Sequence, residues 1–235
     1  MSTLSGSADA VASLEGFSVL IIDDHELFST SLRMALRGHG LDAHQVPVTG
    51  VEEILERARQ LTSGLAVLDL DLGTDAGGRW VSGVDLVGAL KRSGWKVLVV
   101  SGSVDRPGVA AAIAAGAVGS VPKSSSFEAL LETVMAAGAG ETVMAEVERQ
   151  LWLTQHRKFQ AEERALARRL GRLSVREREV LELLAEGHRA GTIAEKFVVS
   201  MTTVRTQIRA ILTKLEVNSQ LEAVALLRHW PSGRS

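Results

Sequence analysis

The sequence predicts an α/β fold, a doubly wound five-stranded parallel sheet, followed by a long helical linker and an all-α domain. Three observations carry the prediction. Short apolar runs rich in β-branched residues alternate with helical segments up to about residue 140, the alternation then stops, and residues 172–235 keep only helical periodicity.

The first run, SVLIIDD, holds four consecutive apolar residues, Val19 to Ile22, and reads as a strand covered on both faces before it closes on Asp23 and Asp24. ELFSTSLRMALRG then places Phe28, Leu32, Ala35 and Leu36 on one helical face and stops near Gly38. DAHQV is a short strand, VEEILERARQL a helix, LAVLDLDL a buried strand, VDLVGALKR a helix and KVLVVSG another buried strand. PGVAAAIAAGA is helical, VGSVPK a short strand, and SSSFEALLETVMAAG a helix opened by a capping box from Ser125 to Glu128.

The region ETVMAEVERQLWLTQHRKFQAEERALARRLGRLS has no Pro and no Gly before Gly171, so it reads as one charged helix from about Glu141. Trp152, Phe159, Leu166 and Leu173 recur along it every seven residues, an apolar stripe that suits self-association or docking. Beyond it, a helix presenting Val180, Leu181 and Leu184 ends at Gly187 and TIAEKF forms a second. Ser200 caps a third, MTTVRTQIRAILTKL, which buries Val204, Ile208, Ile211, Leu212 and Leu215. Two short helices joined by a tight turn make a helix-turn-helix. The expected divisions are 17–137, a linker at 138–171, and 172–230.

Charge separates the same regions. Residues 1–140 hold 10 basic against 16 acidic side chains, whereas residues 172–235 hold 10 against 7, so an acidic domain precedes one able to approach a polyanion. The chain has no cysteine, which excludes disulfides and thiolate metal sites. No apolar run approaches transmembrane length, and the N-terminus lacks the pattern of a signal peptide. A cytoplasmic protein without membrane contact is the expectation.

The polar residues at the strand ends form a pattern. Asp23 and Asp24 close the first strand, Asp69 the third, Ser101 the fourth and Lys123 the fifth, all at one edge of one sheet, where open α/β sheets bind ligands. Clustered carboxylates repel unless a divalent cation or Lys compensates them, so the edge suits Mg²⁺ held by oxygen ligands. Asp69 can then take a phosphoryl group while Lys123 and the Ser101 hydroxyl stabilise its oxygens. Taken singly, a strand-end Asp caps a helix and a lone Lys is solvated; their joint occurrence favours the site.

This arrangement, with its spacing from Asp69 to Ser101 to Lys123, resembles the receiver domain of two-component response regulators, a flavodoxin-like fold. The resemblance implies that Asp69 is the phosphoacceptor, that Asp23, Asp24 and Asp69 with the backbone carbonyl of Asp71 hold Mg²⁺, and that Gly102 leaves room for the phosphoryl group. Three features depart from it: an enlarged loop after Asp69 carrying Trp80, which either covers the pocket or contacts a partner or is a floppy insertion; Ser120 where receivers carry an aromatic ring; and Ser101 in place of Thr. The segments LSVREREVLELLAEG, IAEKF, VVSMTTVRTQI and KLEVNSQLEAVALL resemble the LuxR/NarL-type DNA-binding domain. On the third helix Thr202, Thr203, Arg205, Thr206 and Arg209 lie off the apolar stripe and suit phosphate and base-edge contacts. The family implies DNA contact through Arg205, Thr206 and Arg209, and a dimer surface near Leu221 and Val224, although those two also suit closing the small core.

Together these readings imply a transcriptional response regulator that takes phosphate from a sensor histidine kinase and binds promoter DNA as a homodimer. The alternative keeps DNA binding but makes the receiver a phosphorylation-independent interaction or ligand-sensing module. Apart from self-phosphorylation and autodephosphorylation of the receiver, no enzyme activity is expected; an independent Mg²⁺-dependent phosphatase lacks a substrate pocket or turnover residue in the sequence.

Overall fold

The computed structural model describes residues 17–75, 77–102 and 106–229, which fall into two compact units divided after His156. In the first, five parallel strands alternate with helices: β1 (Ser18–Ile22), α1 (Glu26–Gly38), β2 (Asp42–Val46), α2 (Val51–Arg59), β3 (Leu65–Asp69), β4 (Asp71–Thr74), β5 (Trp80–Ser82), α3 (Gly83–Arg92), β6 (Lys96–Ser101), α4 (Arg106–Ala115), β7 (Gly119–Pro122) and α5 (Phe127–Gly138). The main sheet has the order β2-β1-β3-β6-β7, and β4 and β5 form a separate hairpin.

Each central strand divides its apolar side chains between two cores, as a period of two requires. Leu20, Ile22, Ala66, Leu68, Val97 and Val99 meet α2, α3 and α4 through Ile54, Leu86, Leu90 and Ile113. Val19, Ile21, Leu65, Val67, Leu98 and Val100 meet α1 and α5 through Leu32, Leu36, Leu130 and Val134. Helices thus cover both faces, which is why the runs are continuously apolar. Register aligns the strand ends: Ile22 pairs with Leu68, Asp69 with Val100, and Ser101 with Pro122. All five carboxyl ends consequently meet at one edge.

Three local expectations change. LAVLDLDL is two strands, because the chain leaves the sheet after Asp69 and doubles back through β4 and β5, with Asp71 opposite Ser82. The alternation continues through the break because Leu70 and Leu72 are both buried. Gly83 closes this hairpin against the sheet: a Cβ there would lie 2.2 Å from the Asp69 carbonyl oxygen, so no side chain fits. The α5 cap is Ser126, whose hydroxyl accepts from the Ala129 amide, one residue later than expected within three consecutive serines.

The long helix, α6 (Glu146–Gly171), begins about a turn late because the preceding residues pack on the first unit instead. Met144 is buried in the first core and Val143 lies against Gly119. The first turns of α6 belong to this unit: Arg149 donates to the Ala117 and Val118 carbonyls at 3.0 and 2.7 Å, Trp152 and Leu153 pack on the core, and the Arg106 guanidinium stands 5.8 Å over the Trp152 ring.

The second unit contains the rest of α6 and then α7 (Val175–Ala185), α8 (Ala190–Phe197), α9 (Met201–Leu215) and α10 (Gln220–His229). Its core joins Leu170, Leu173, Val180, Leu181, Ile193, Val204, Ile208, Ile211 and Leu215. Leu166, Leu184, Leu212 and Val224 pack at its margin. A capping box opens α7: Ser174 accepts from the Glu177 amide and Glu177 accepts from the Ser174 amide. Lys214 donates to the same Glu177 carboxylate at 2.6 and 2.8 Å, locking α7 to α9 and holding that carboxyl below the usual range. Among the described residues no helix is long and apolar enough to cross a membrane.

Candidate functional site

At the carboxyl edge of the first sheet, Asp23 and Asp69 are almost wholly buried while Asp24 is partly exposed. Lys123, carried from the end of β7, reaches between them: its ammonium donates to Asp69 Oδ2 at 2.6 Å and to Asp23 Oδ1 at 3.2 Å. Its backbone N–H is fixed on the Ser101 carbonyl at 2.7 Å, so the two strand ends position each other. The Asp71 amide donates to Asp69 Oδ1 at 3.2 Å. Burial pushes the Asp69 carboxyl above its ordinary pKa, with the Lys123 hydrogen bond opposing and the Asp23 charge adding to the rise. For Lys123, burial works against the ammonium, but the hydrogen bonds to Asp69 and Asp23 outweigh it and hold its pKa above the ordinary value.

The donor set fits a hard divalent cation. Carboxylate oxygens of Asp23, Asp24 and Asp69 and a ring nitrogen of His25 all lie within 4.8 Å of one another. Asp23 Oδ2 is 3.0 Å from the Lys123 ammonium, yet it is buried without a hydrogen bond. A buried charged oxygen left in that state is what a cation would satisfy.

Beside this cluster a cavity of ≈ 460 Å³ is lined by Asp69, Asp71, Ser101 and Gly102 on one side and by Trp80, Ser82 and Val84 on the other. At Gly102 a Cβ would meet nothing within 4 Å. In its described residues the loop after Asp69 is the β4–β5 hairpin, and it forms one wall of the cavity. Trp80 itself stays 66% exposed, so it walls the cavity without closing it. Ser120 is half-buried on β7 opposite Val99.

In the second unit α9 starts at Ser200, whose hydroxyl accepts from the Thr203 amide at 3.0 Å and contacts the Thr203 hydroxyl at 2.8 Å. Val204, Ile208 and Ile211 face the core, which turns Thr202, Thr203, Arg205, Thr206 and Arg209 to solvent. Thr206 donates its hydroxyl to the Thr202 carbonyl, so that oxygen keeps only acceptor capacity. α9 contains Arg205, Arg209 and Lys214 and no carboxylate. Among the described residues neither Arg205 nor Arg209 makes an ion pair, so both guanidiniums are open to a ligand.

Residues 19–135 match the family described as response regulator receiver domain, and residues 172–227 match the luxR family of bacterial regulatory proteins. The chain belongs to the two-component response regulators. The nitrate/nitrite response regulator NarP of Escherichia coli K12 is 33% identical over 215 residues, covering 89% of this chain and 94% of NarP. NarL of the same organism is 28% identical over 213 residues, at 89% and 94% coverage. A solved structure of the Salmonella typhimurium response regulator RcsB, at 22% identity, covers 90% of this chain and 99% of its own with a TM-score of 0.50, a likeness of fold. This response regulator therefore has a receiver domain and a LuxR-type DNA-binding domain.

Of the residues expected to act in this response regulator, the fold brings Asp23, Asp24, Asp69 and Lys123 into one cluster and lines the adjoining cavity with Ser101 and Asp71. The stripe expected to be available for pairing is partly covered within the chain: Trp152 lies on the first core and Leu166 on the second. Phe159 is half-buried, and Leu221 on α10 is 80% exposed. Sequence reasoning missed His25, whose Nδ1 lies 2.7 Å from Asp24 Oδ1, 3.1 Å from Asp23 Oδ1 and 3.2 Å from the Lys123 ammonium. Its place directly after the two aspartates was the available signal.

Proposed function

We propose that this response regulator is switched by phosphorylation of Asp69, transferred from a histidine of a sensor kinase, and that the switched protein binds promoter DNA through α9 as a homodimer. The receiver is taken as residues 17–137, the linker as 138–171 and the DNA-binding domain as 172–230. One observation carries the reading: Asp69 is a buried carboxylate with a Lys123 ammonium 2.6 Å away, at the end of a central strand and open to a cavity shared with Ser101 and Gly102.

A carboxylate oxygen of Asp69 accepts the phosphoryl group, and the Lys123 ammonium and Ser101 hydroxyl stand where its oxygens acquire charge. Mg²⁺, held by Asp23, Asp24, Asp69 and the Asp71 carbonyl, supplies further neutralisation of those oxygens when bound. On α9, Arg205 and Arg209 offer bidentate donors for phosphates or base edges, and Thr202, Thr203 and Thr206 offer hydroxyl oxygens. For self-association, α10 offers Leu221, exposed, and Val224, half-buried beside the core, with Trp152, Phe159 and Leu166 along the linker helix.

Asp69→Ala is expected to abolish Mg²⁺-dependent incorporation of phosphate from a small acyl phosphate, read by intact-protein mass spectrometry. Undiminished incorporation overturns the assignment.

A further inference from the structure

Along α1, reaching Asp23 and Asp24 at one end, lies a cleft of ≈ 630 Å³ with an unusual division of charge. Glu26, Arg33 and Arg37, spaced by seven and four residues, share one face of α1 and line it. Opposite them stand His44 and Gln45 of β2 and Arg57 of α2. At 1.5 Å per residue, Arg33 and Arg37 lie about 10 and 16 Å along the helix axis from Glu26. The cleft is therefore acidic where it meets Asp23, Asp24 and Glu26, and basic beyond.

Among the described residues none of the three guanidiniums of Arg33, Arg37 and Arg57 is closed by a direct ion pair, although the Arg37 charge is felt by the Asp42 carboxylate. Arg37 donates its Nε to the Ala43 carbonyl and Arg57 one Nη to Gln60, while Arg33 Nε is buried with no hydrogen-bond partner. Each fork keeps most of its five donors. Like charges around a shared cleft, one with a buried unmatched donor, are arranged at a cost that an anion removes. Planar forks match the paired oxygens of phosphate. Pro47 and Val48 add an apolar wall, and the volume lies in the range of small-molecule sites.

We propose that this cleft binds a phosphorylated small metabolite, its phosphate on Arg33, Arg37 and Arg57 and its organic body along Pro47 and Val48. The basic end uses neither Asp69 nor Lys123, while the acidic end is shared with Asp23 and Asp24, so the site is a second input to the receiver that adjoins the proposed phosphorylation site.

The test is calorimetric titration of the full chain with inorganic pyrophosphate and with ribose 5-phosphate, in EDTA at physiological ionic strength. Saturable binding is expected for both, and Arg33→Gln and Arg57→Gln should each weaken it by about tenfold, equivalent to one charge-assisted bond. Arg57 is exposed, so its variant keeps the test intact if Arg33→Gln lowers stability. Arg59→Gln, an exposed α2 arginine paired with Glu56 and outside the cleft, should bind as wild type does. Absence of saturable binding in the wild-type chain overturns the proposal. So does binding that survives both Arg substitutions undiminished, since the anion would then occupy another cationic site.

Discussion

The two proposed functional surfaces are built in opposite ways. Asp69 and Asp23, with Lys123, bring together groups up to a hundred positions apart, two of them almost wholly buried, and one ammonium bridges both carboxylates. Arg205 and Arg209 sit on one helix, exposed and unpaired, and rest on a core to which they contribute nothing. In the first surface function and stability share the same atoms. In the second they are separable, because the apolar stripe of α9 sets the helix and its other face is free to meet a partner.

The largest effect that tests this contrast is expected at Lys123. Lys123→Ala leaves two buried carboxylates without their cation, so the receiver should lose about 3 kcal/mol in metal-free buffer at neutral pH. Hydrogen exchange of β3 amides reads that loss, because these are core amides that open only with the domain. The pH dependence has a definite sign. The folded-state pKa of Asp69 lies above its unfolded value, so the folded state binds the proton more tightly. The cost of its charge is full above the folded pKa and is relieved as pH falls toward the unfolded value near 3.8. The variant and the wild type should therefore converge on acidification. A loss below about 0.5 kcal/mol, in the range of ordinary surface substitutions, would contradict the shared-atom account.

Arg205→Ala and Arg209→Ala test the other half. Each should leave the unfolding free energy of the second unit within about 0.5 kcal/mol of wild type. Binding to a duplex selected by the wild-type chain should weaken. If the lost contact is a phosphate, the slope of log affinity against log salt falls by about one; if it is a base edge, sequence preference relaxes at one position. Unaltered affinity across salt concentrations for both variants, measured by fluorescence anisotropy, would remove α9 from the interface.

The same contrast explains what was legible in the sequence. Asp23, Asp69 and Ser101 could be placed because each follows four consecutive apolar residues, and Lys123 because a parallel sheet aligns the end of its short strand with theirs. The hairpin after Asp69 could not, because Leu70 and Leu72 carry the alternation straight through a chain reversal that Gly83 permits by close approach. The start of α6 was hidden because Val143 and Met144 have ordinary helical character and leave the helix only to pack on β7 and the receiver core, a tertiary cause that local propensity does not carry. Ser200 was readable as a cap because it stands alone between a turn and a periodic run; Ser126 was misplaced by one because its two neighbours are also serine. His25 escaped because a polar residue before a helix carries no periodic signal, and the arginines of the α1 cleft because polar positions off an apolar stripe ordinarily read as a solvated face.

The smallest expected effect lies in the turn that aims α9. Val198 closes α8 with φ 53 and ψ 45, a left-handed conformation that crowds a β-branched side chain, and it is 90% exposed, so no packing compensates. Val198→Gly removes the crowding but gives the unfolded chain more freedom, and the net gain should be about 1 kcal/mol. Glu216 adopts the same conformation at the end of α9, but its carboxylate pairs with Arg169 at 3.1 Å and Arg172 at 2.8 Å. Glu216→Gly would lose those contacts along with the crowding, so it should gain less. Thermal unfolding of the full chain, with the second transition followed in each variant, ranks the two. Because Val198 makes no contribution to the exposed face of α9, DNA affinity should stay at the wild-type value as stability rises. If Val198→Gly destabilises the unit or lowers DNA affinity, then the turn is part of the binding surface, and the separation of function from stability in this half of the molecule fails there.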